Sequence, residues 1–429
     1  MLVTINNQNF TDNSNEVNDK TYFVLSSFNE KFKEDALKKG CKGIIHSKDL
    51  LSYVDFSSIN IIGITGTNGK TTTAAAIYSI LLDLGYKVAL QGTRGFFINE
   101  ERVEEYSLTT PMQLGNFAHI EQAIKQGCQF FVMEVSSHAI EQQRIEGLSF
   151  ALKIHTNITR DHLDYHKTLE EYIRVKNSFF SDSTPKLINK DDKVVKYNIQ
   201  NGFAYSLDEP STYKVQAYSF KNGMQVMLQH FDQTVHFESS MMGIFNVYNL
   251  TAAVAAVHIM TKRPLQEICD TVENFAGVSG RMQTISENPL VIIDFAHTPD
   301  GMKKVLESFA HKEIICVFGA GGNRDKEKRP LMGQMAQQYS KHIIVTSDNP
   351  RFEDPDLIIE DILQGITRHE SVQVEINRKE AIKKAIALSN DKSVVLVLGK
   401  GDEAYQIIYD QKMPFSDKEV IESLLKIGS

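Results

Sequence analysis

A chain of 429 residues, 42% hydrophobic and 23% charged, has the make-up of a soluble globular protein of about two to four domains. Its net charge of −8 excludes a broad nucleic-acid surface but leaves room for a local basic pocket around an anionic ligand. Cys41, Cys128, Cys269 and Cys316 form no metal-spaced pair, as expected of core thiols in a reducing cytosol. No run reaches transmembrane length and the first residues carry no apolar signal core, so a cytoplasmic protein with no membrane partner is expected.

In chain order, residues 1–59 read as a small α/β unit. Tyr22–Leu25 and Gly43–His46 are short apolar strands, and residues 29–39 form an amphipathic helix stopped by Gly40. So short a unit barely buries a core and is expected to lean on its neighbour. Residues 60–279 read as a nucleotide-binding domain. The run Ile61, Ile62, Ile64 is a buried strand, Gly66 and Gly69 bend the chain, and a helix follows from Thr73 to Leu82. Further strands are expected at 85–90, 130–138 and 152–157, and helices at 113–125, 168–180 and 246–258. Residues 186–240 suggest a β-rich excursion. Residues 280–429 read as a second α/β domain with strands at 290–295, 314–319, 342–346 and 393–399. Gly280-Arg281 stands at the junction as a possible hinge.

Strand, glycine turn and helix is the setting of a phosphate-binding loop. In Gly63-Ile-Thr-Gly66-Thr67-Asn68-Gly69-Lys70-Thr71-Thr72, the backbone N–H groups and the helix N-terminus can face phosphate oxygens. Lys70 can reach the outer phosphates and Thr71 can offer a hydroxyl to Mg²⁺. The spacing departs from the common loop, because five residues rather than four separate Gly63 from Gly69. Glu134 ends an apolar strand, where a carboxylate suits an oxygen-preferring Mg²⁺ or a simple salt bridge. His162 and His166 have zinc-like spacing, but no third soft ligand is near; alone, His162 reads as a hydrogen-bonded loop histidine. Lys176 alone is one more helix lysine. In the last domain, Gly319–Pro330 is glycine-rich and basic, as an anion-binding loop would be. Asp348-Asn349-Pro-Arg351 could grip a zwitterion, the aspartate on an ammonium and the arginine on a carboxylate, or be a plain turn. Gly399-Lys-Gly-Asp-Glu403 could add a carboxylate.

Taken together these motifs resemble the Mur ligase family of ATP-dependent amide-forming enzymes. The matching pieces are the phosphate loop, Thr109-Thr110-Pro111, Glu134–His138, Asn157–His166, Gly243–Asn249, Gly280-Arg281, Asp294–Asp300 and Gly322–Lys326. Asp348–Arg351 resembles the signature of the family's diaminopimelate-adding branch. The resemblance covers about residue 20 to the C-terminus and implies an α/β protein of three domains: a small UDP-binding unit (1–59), a central P-loop ATPase with a mostly parallel sheet (60–279) and a Rossmann-like amino-acid-binding domain (280–429).

The resemblance also implies a reaction. UDP-N-acetylmuramoyl-L-alanyl-D-glutamate, meso-diaminopimelate and ATP would give the tripeptide, ADP and phosphate through an acyl phosphate, in cytoplasmic peptidoglycan precursor synthesis, on a monomer. By resemblance, Thr71, Glu134, His162 and Lys176 lie near Mg²⁺, with Lys176 carbamylated to N6-carboxylysine. Lys70 holds the outer phosphates, Asn249 the adenine side, and Arg281 and Asp294 the phosphate and ribose ends. Ser14, Thr109, Thr110, Ser136, Gln142 and Arg144 match substrate positions. Arg324, Asp348, Asn349, Arg351, Gly399 and Glu403 match the diaminopimelate site. Two departures stand out: Asn13-Ser14-Asn15 replaces Asp-Ser-Arg, and Asp402 replaces the histidine of Gly-Lys-Gly-His-Glu. The alternatives are a lysine-adding ligase, a folylpolyglutamate synthetase, or a P-loop ATPase that couples hydrolysis to binding.

Overall fold

The computed structural model describes residues 2–105, 108–221 and 223–426. Its first sheet runs β1 (Leu2–Ile5), β2 (Gln8–Thr11), β3 (Thr21–Leu25), β4 (Gly43–His46), with β1 antiparallel to β2 and the rest parallel. The sequence reading missed the opening hairpin, because its strands are only four residues long and the second, Gln-Asn-Phe-Thr, carries little apolar signal. The helix expected over 29–39 is a 3₁₀ turn, Glu30–Phe32, followed by α1 (Lys33–Lys38). The unit does lean on its neighbour. Val3, Ile5, Phe10, Val24, Ile45 and Leu50 share one core with Leu114 and Phe117.

The central sheet has eleven strands: β5 (Asn60–Thr65), β6 (Val88–Gly92), β7 (Gly95–Ile98), β8 (Glu101–Glu104), β9 (Phe130–Glu134), β10 (Phe150–His155), β11 (Lys186–Asn189), β12 (Gly202–Ser206), β13 (Tyr213–Ser219), β14 (Met224–His230) and β15 (Gln233–Ser239). Their order is β15-β14-β13-β12-β11-β10-β5-β9-β6-β7-β8. The strands from β6 across to β13 are parallel, and antiparallel hairpins close both edges. Helices α2 (Lys70–Asp83) and α7 (Ile244–Thr261) cover one face, packed through Ile77, Ile80, Val254 and Val257. Helix α3 (Gln113–Lys125) covers the other, and short α4 (Ser137–Glu141), α5 (Leu163–His166) and α6 (Leu169–Ser178) border the site. The strand expected over 130–138 stops at Glu134, because the Ser136 hydroxyl accepts the Ala139 N–H and caps α4. Contrary to the sequence reading, α7 is long and apolar enough to cross a membrane by length and composition. Its alanine and valine side chains are buried in the core, which accounts for that composition. Helix α8 (Leu265–Asp270) leads towards the third unit.

The third sheet comprises β16 (Gln283–Glu287), β17 (Leu290–Asp294), β18 (Glu313–Phe318), β19 (His342–Val345), β20 (Val372–Val374) and β21 (Ser393–Leu398), in the order β16-β17-β21-β18-β19-β20. All but β16 run parallel. Helices α9 (Pro299–Ser308), α10 (Lys328–Tyr339) and α11 (Pro355–Leu363) fill one face, α12 (Arg378–Ala387) and α13 (Asp417–Leu425) the other. A hairpin, β22 (Tyr405–Ile408) and β23 (Gln411–Pro414), stands beside the carboxyl ends of the strands. Open parallel sheets bind ligands at that edge. Both large sheets turn their carboxyl edges into one shared cleft.

Candidate active site

The cleft has a volume of about 670 Å³ and is lined from both units, by Thr67–Thr72 and Glu134 on one side and Asp348, Arg351 and Glu403 on the other. At its floor, Gly69 takes the left-handed conformation (φ 87°) that starts α2. Lys70 folds back over the loop and donates to the carbonyls of Gly66 (2.8 Å) and Thr67 (3.0 Å). Burial pulls its amine below the ordinary lysine value, against the attraction of Glu134 and Asp161. Asn249, expected towards the adenine, lines the cleft and packs against the phosphate loop: its Oδ1 would stand 2.4 Å from a β-carbon at Gly69. At the far end of the cleft, Asp191 accepts N–H groups of Leu207, Asp208 and Glu209 and the Tyr248 hydroxyl.

Glu134 is buried and fully engaged. It accepts the Thr71 hydroxyl (3.0 Å), the Thr93 N–H (2.9 Å) and the Thr93 hydroxyl (3.3 Å). An all-oxygen set of carboxylate and hydroxyls fits a hard cation such as Mg²⁺. Next to it the expected substrate positions form one network. Thr93 and Thr109 hydroxyls are 3.1 Å apart, and the Thr110 hydroxyl donates to the Glu134 carbonyl and accepts the Ser136 N–H. Arg144 donates to the Thr110 carbonyl and, through two nitrogens, to Gln142 Oε1. Ser14 is not brought to the cleft; it is buried in the first unit, beside Asp35.

The loop after β10 supplies His162, in the left-handed conformation that begins α5. Its Nε2 lies 3.3 Å from the buried Asp161, while His166 Nε2 lies 2.9 Å from the Ser137 hydroxyl. The two histidines therefore diverge, and no cluster of three metal-ligating side chains occurs among the described residues. Lys176 is buried on α6 beneath the phosphate loop. Its amine donates to the Gly66 carbonyl (2.9 Å) and the Thr65 hydroxyl (3.2 Å) and lies 5.1 Å from the centre of the Tyr172 ring. Burial, and then the nearby Lys70, push it well below the lysine value.

From the third unit, Asp294 at the end of β17 accepts the N–H groups of Met282 and Ala296, both at 2.7 Å. It thereby holds the turn that carries Arg281, whose guanidinium lies 4.1 Å from the centre of the Phe295 ring. The carboxyl end of β21 faces the loop after β19. Asn349 donates to Glu403 (2.9 Å), and the fully buried Lys400 donates to the same carboxylate (3.1 Å). Arg351 donates to the Gly322 carbonyl (2.9 Å); burial and then the neighbouring Arg324 pull it below the usual arginine value. Arg324 also reaches Asp164 across the cleft at 3.6 Å. The two guanidiniums lie close enough to repel, and they line the cleft together with Asp348, Asn349 and Glu403.

Several residues of this site carried no separate signal in the sequence. Thr93 sits in a turn between two strands, and Asp300 accepts Asn68 Nδ2 (3.1 Å) from the other unit. Thr93 could not be seen without the fold, whereas Asp300 lay at the end of the Asp294–Asp300 motif and could have been singled out there. Asp161 lay inside the Asn157–His166 motif and could have been singled out as its acidic member. Lys400 lay inside Gly399–Glu403, a segment read only for its carboxylate.

Family comparisons agree with this geometry. Residues 64–257 match the Mur ligase middle domain and residues 280–401 the Mur ligase, glutamate ligase domain. The chain is 54% identical to the UDP-N-acetylmuramoyl-L-alanyl-D-glutamate–2,6-diaminopimelate ligase of Wolinella succinogenes, over 97% of this chain and 95% of that one. It is 47% identical to the Helicobacter pylori protein of that name, over 96% and 94%. A solved structure of a ligase so named superposes with a TM-score of 0.69 at 31% identity, covering 97% and 94%. A folylpolyglutamate synthase from Mycobacterium tuberculosis, solved with ADP and AMPPCP, shares the fold at 17% identity and a TM-score of 0.68. The chain belongs to the Mur ligase family. It is an ATP-dependent ligase that forms an amide bond.

Proposed function

We propose that this ligase joins meso-diaminopimelate to the D-glutamate of UDP-N-acetylmuramoyl-L-alanyl-D-glutamate, in the cytoplasm. The observation that carries the reading is the paired Arg351 and Arg324 beside Asp348, Asn349 and Glu403, in a cleft shared with the phosphate loop. Residues 1–59, 60–279 and 280–429 serve as the uridine, ATP and amino-acid domains.

A carboxylate is a poor acyl donor. Its oxygen first attacks the γ-phosphorus of ATP, the bond to the bridging oxygen breaks, and ADP leaves. The amine of the diamino acid then attacks the acyl carbon and phosphate departs. Lys70 and the N-terminus of α2 face the phosphates. The network of Thr109, Thr110, Ser136, Gln142 and Arg144 holds the dipeptide end, and Arg281 and Asp294 border the nucleotide. Holding both reactants in one cleft supplies much of the rate. Thr71, Glu134 and His162 would hold Mg²⁺, which neutralises phosphate charge when bound. Lys176 fits N6-carboxylysine: its buried amine lies beneath the phosphate loop, addition to CO₂ with loss of a proton would make it an anion, and that anion would face Lys70. Asp348 and Glu403 meet the ammonium of the amino acid, and Arg351 and Arg324 meet its distal carboxylate.

Phosphate release measured across amino acids tests the reading. Release should require both the muramoyl dipeptide and meso-diaminopimelate, with L-lysine a poor replacement. Equal use of lysine, or release without an amine acceptor, would overturn it.

A further inference from the structure

The turn that grips Glu134 and the loop that carries Glu403 are joined directly. Thr93 holds Glu134 with its N–H and hydroxyl. The next residue, Arg94, donates from Nε to Asp402 Oδ2 at 3.1 Å, across 308 positions of sequence. Asp402 immediately precedes Glu403, which accepts Asn349 and Lys400. The backbone on the far side is equally tight: a β-carbon at Gly280 would stand 2.1 Å from the Asp402 nitrogen. The loop 399–403 is therefore seated on the 280–281 turn and pinned to the central sheet by one ion pair. Gly280, at the junction of the two units, is packed directly against the 401–402 backbone. Asp402 is also the position where this chain departs from the histidine of the family pattern, and a carboxylate there is what an arginine partner requires.

We propose that Arg94 and Asp402 form a positioning pair that sets the register of the amino-acid subsite against the phosphate end of the cleft. Neither residue lines the cleft. The pair acts through the 402–403 backbone on Glu403, with the Thr93–Arg94 turn as the fixed anchor on the central sheet. Losing it should leave the dipeptide carboxylate able to react with ATP and should spoil the approach of the amine. The inference rests on the function proposed above.

The test is a double-mutant cycle with Arg94→Ala, Asp402→Ala, the double alanine variant, and the reversed pair Arg94→Asp with Asp402→Arg. Three readouts apply: KM and kcat with meso-diaminopimelate, acyl phosphate trapped as the hydroxamate by hydroxylamine without the amino acid, and melting temperature. Each single variant should lose about tenfold in kcat/KM for the diamino acid, and the double no more than the worse single, because coupled residues are not additive. Hydroxamate yield and melting temperature should stay near wild type. The reversed pair should recover part of the loss. Single variants within about twofold of wild type, losses that multiply in the double variant, or hydroxamate yield falling in step with turnover would each overturn the proposal. A wild type inactive with diaminopimelate would instead refute the functional reading beneath it.

Discussion

Arg351 holds a left-handed backbone (φ 52°), a strained choice for a long side chain. The β22–β23 hairpin enforces it: the Arg351 N–H donates to the Ile407 carbonyl, and the Tyr409 N–H donates to the Arg351 carbonyl. The guanidinium is thereby aimed beside Arg324. A charge-assisted contact of this kind contributes about 1.5–3 kcal/mol, roughly ten- to a hundredfold. Arg351→Ala should raise the KM for diaminopimelate by about that factor and leave ATP binding unchanged, as steady-state kinetics would show. Glu353 supports the same loop from below. It accepts the Asn323 N–H and pairs with the buried Arg329 at 3.0 Å, and these bonds hold its carboxyl down to about 2. A carboxyl lowered in the folded state stabilises the protein above the ordinary carboxylate range. That contribution is lost as pH falls from about 4.5 towards 2. Glu353→Gln should cost about 1–3 kcal/mol at pH 7. Its deficit against wild type should shrink on acidification, read from urea midpoints across pH. For Lys176, protein equilibrated with ¹³CO₂ should show a carbamate resonance that Lys176→Ala lacks; a spectrum without it would remove the carboxylysine.

At the scale of elements, the β5–α2 turn shows why a glycine opens the helix. At φ 87° an L side chain is strained, and Asn249 already occupies the space a β-carbon would need. Asn249 in turn donates to Asn246 Oδ1 at 3.0 Å, so α7 braces the loop from behind. Gly69→Ala should shift the loop and weaken ATP at least tenfold by calorimetric titration, with the amino-acid loops unaffected. Unchanged ATP affinity would show that the loop's shape is not what holds phosphate.

At the scale of the molecule, the first unit has a core only because α3 completes it. Phe117 is fully buried between the units and meets Phe56 edge to face, centroids 5.1 Å apart. Phe117→Ala should cost about 3–5 kcal/mol and destabilise both units together in one urea transition. Separate transitions would mean that the first unit folds alone. The second and third units meet through Phe245, which packs against the core of the third unit, and through several polar contacts. Arg160 reaches Asp325 and Glu327, Asn68 reaches Asp300, and Arg94 reaches Asp402. Charged, half-exposed contacts can break and re-form at little cost, as suits a cleft that must admit two substrates.

The sequence by itself determined what depends on neighbours in the chain. The apolar run before Gly66 and the Gly-Lys-Thr after it specify strand, turn and helix, because hydrophobic periodicity and glycine backbone freedom are local. The alternation of elements in residues 280–429 likewise announced a parallel sheet. Tertiary structure decided what depends on distant partners. The carboxylate turn at Thr93, the buried support of Lys400, and the place of Asn249 behind the phosphate loop each required folding within a unit to bring segments distant in the chain side by side. Short polar strands such as Gln8–Thr11 form because strand partners and a helix from another unit complete their burial, and no residue within them records that.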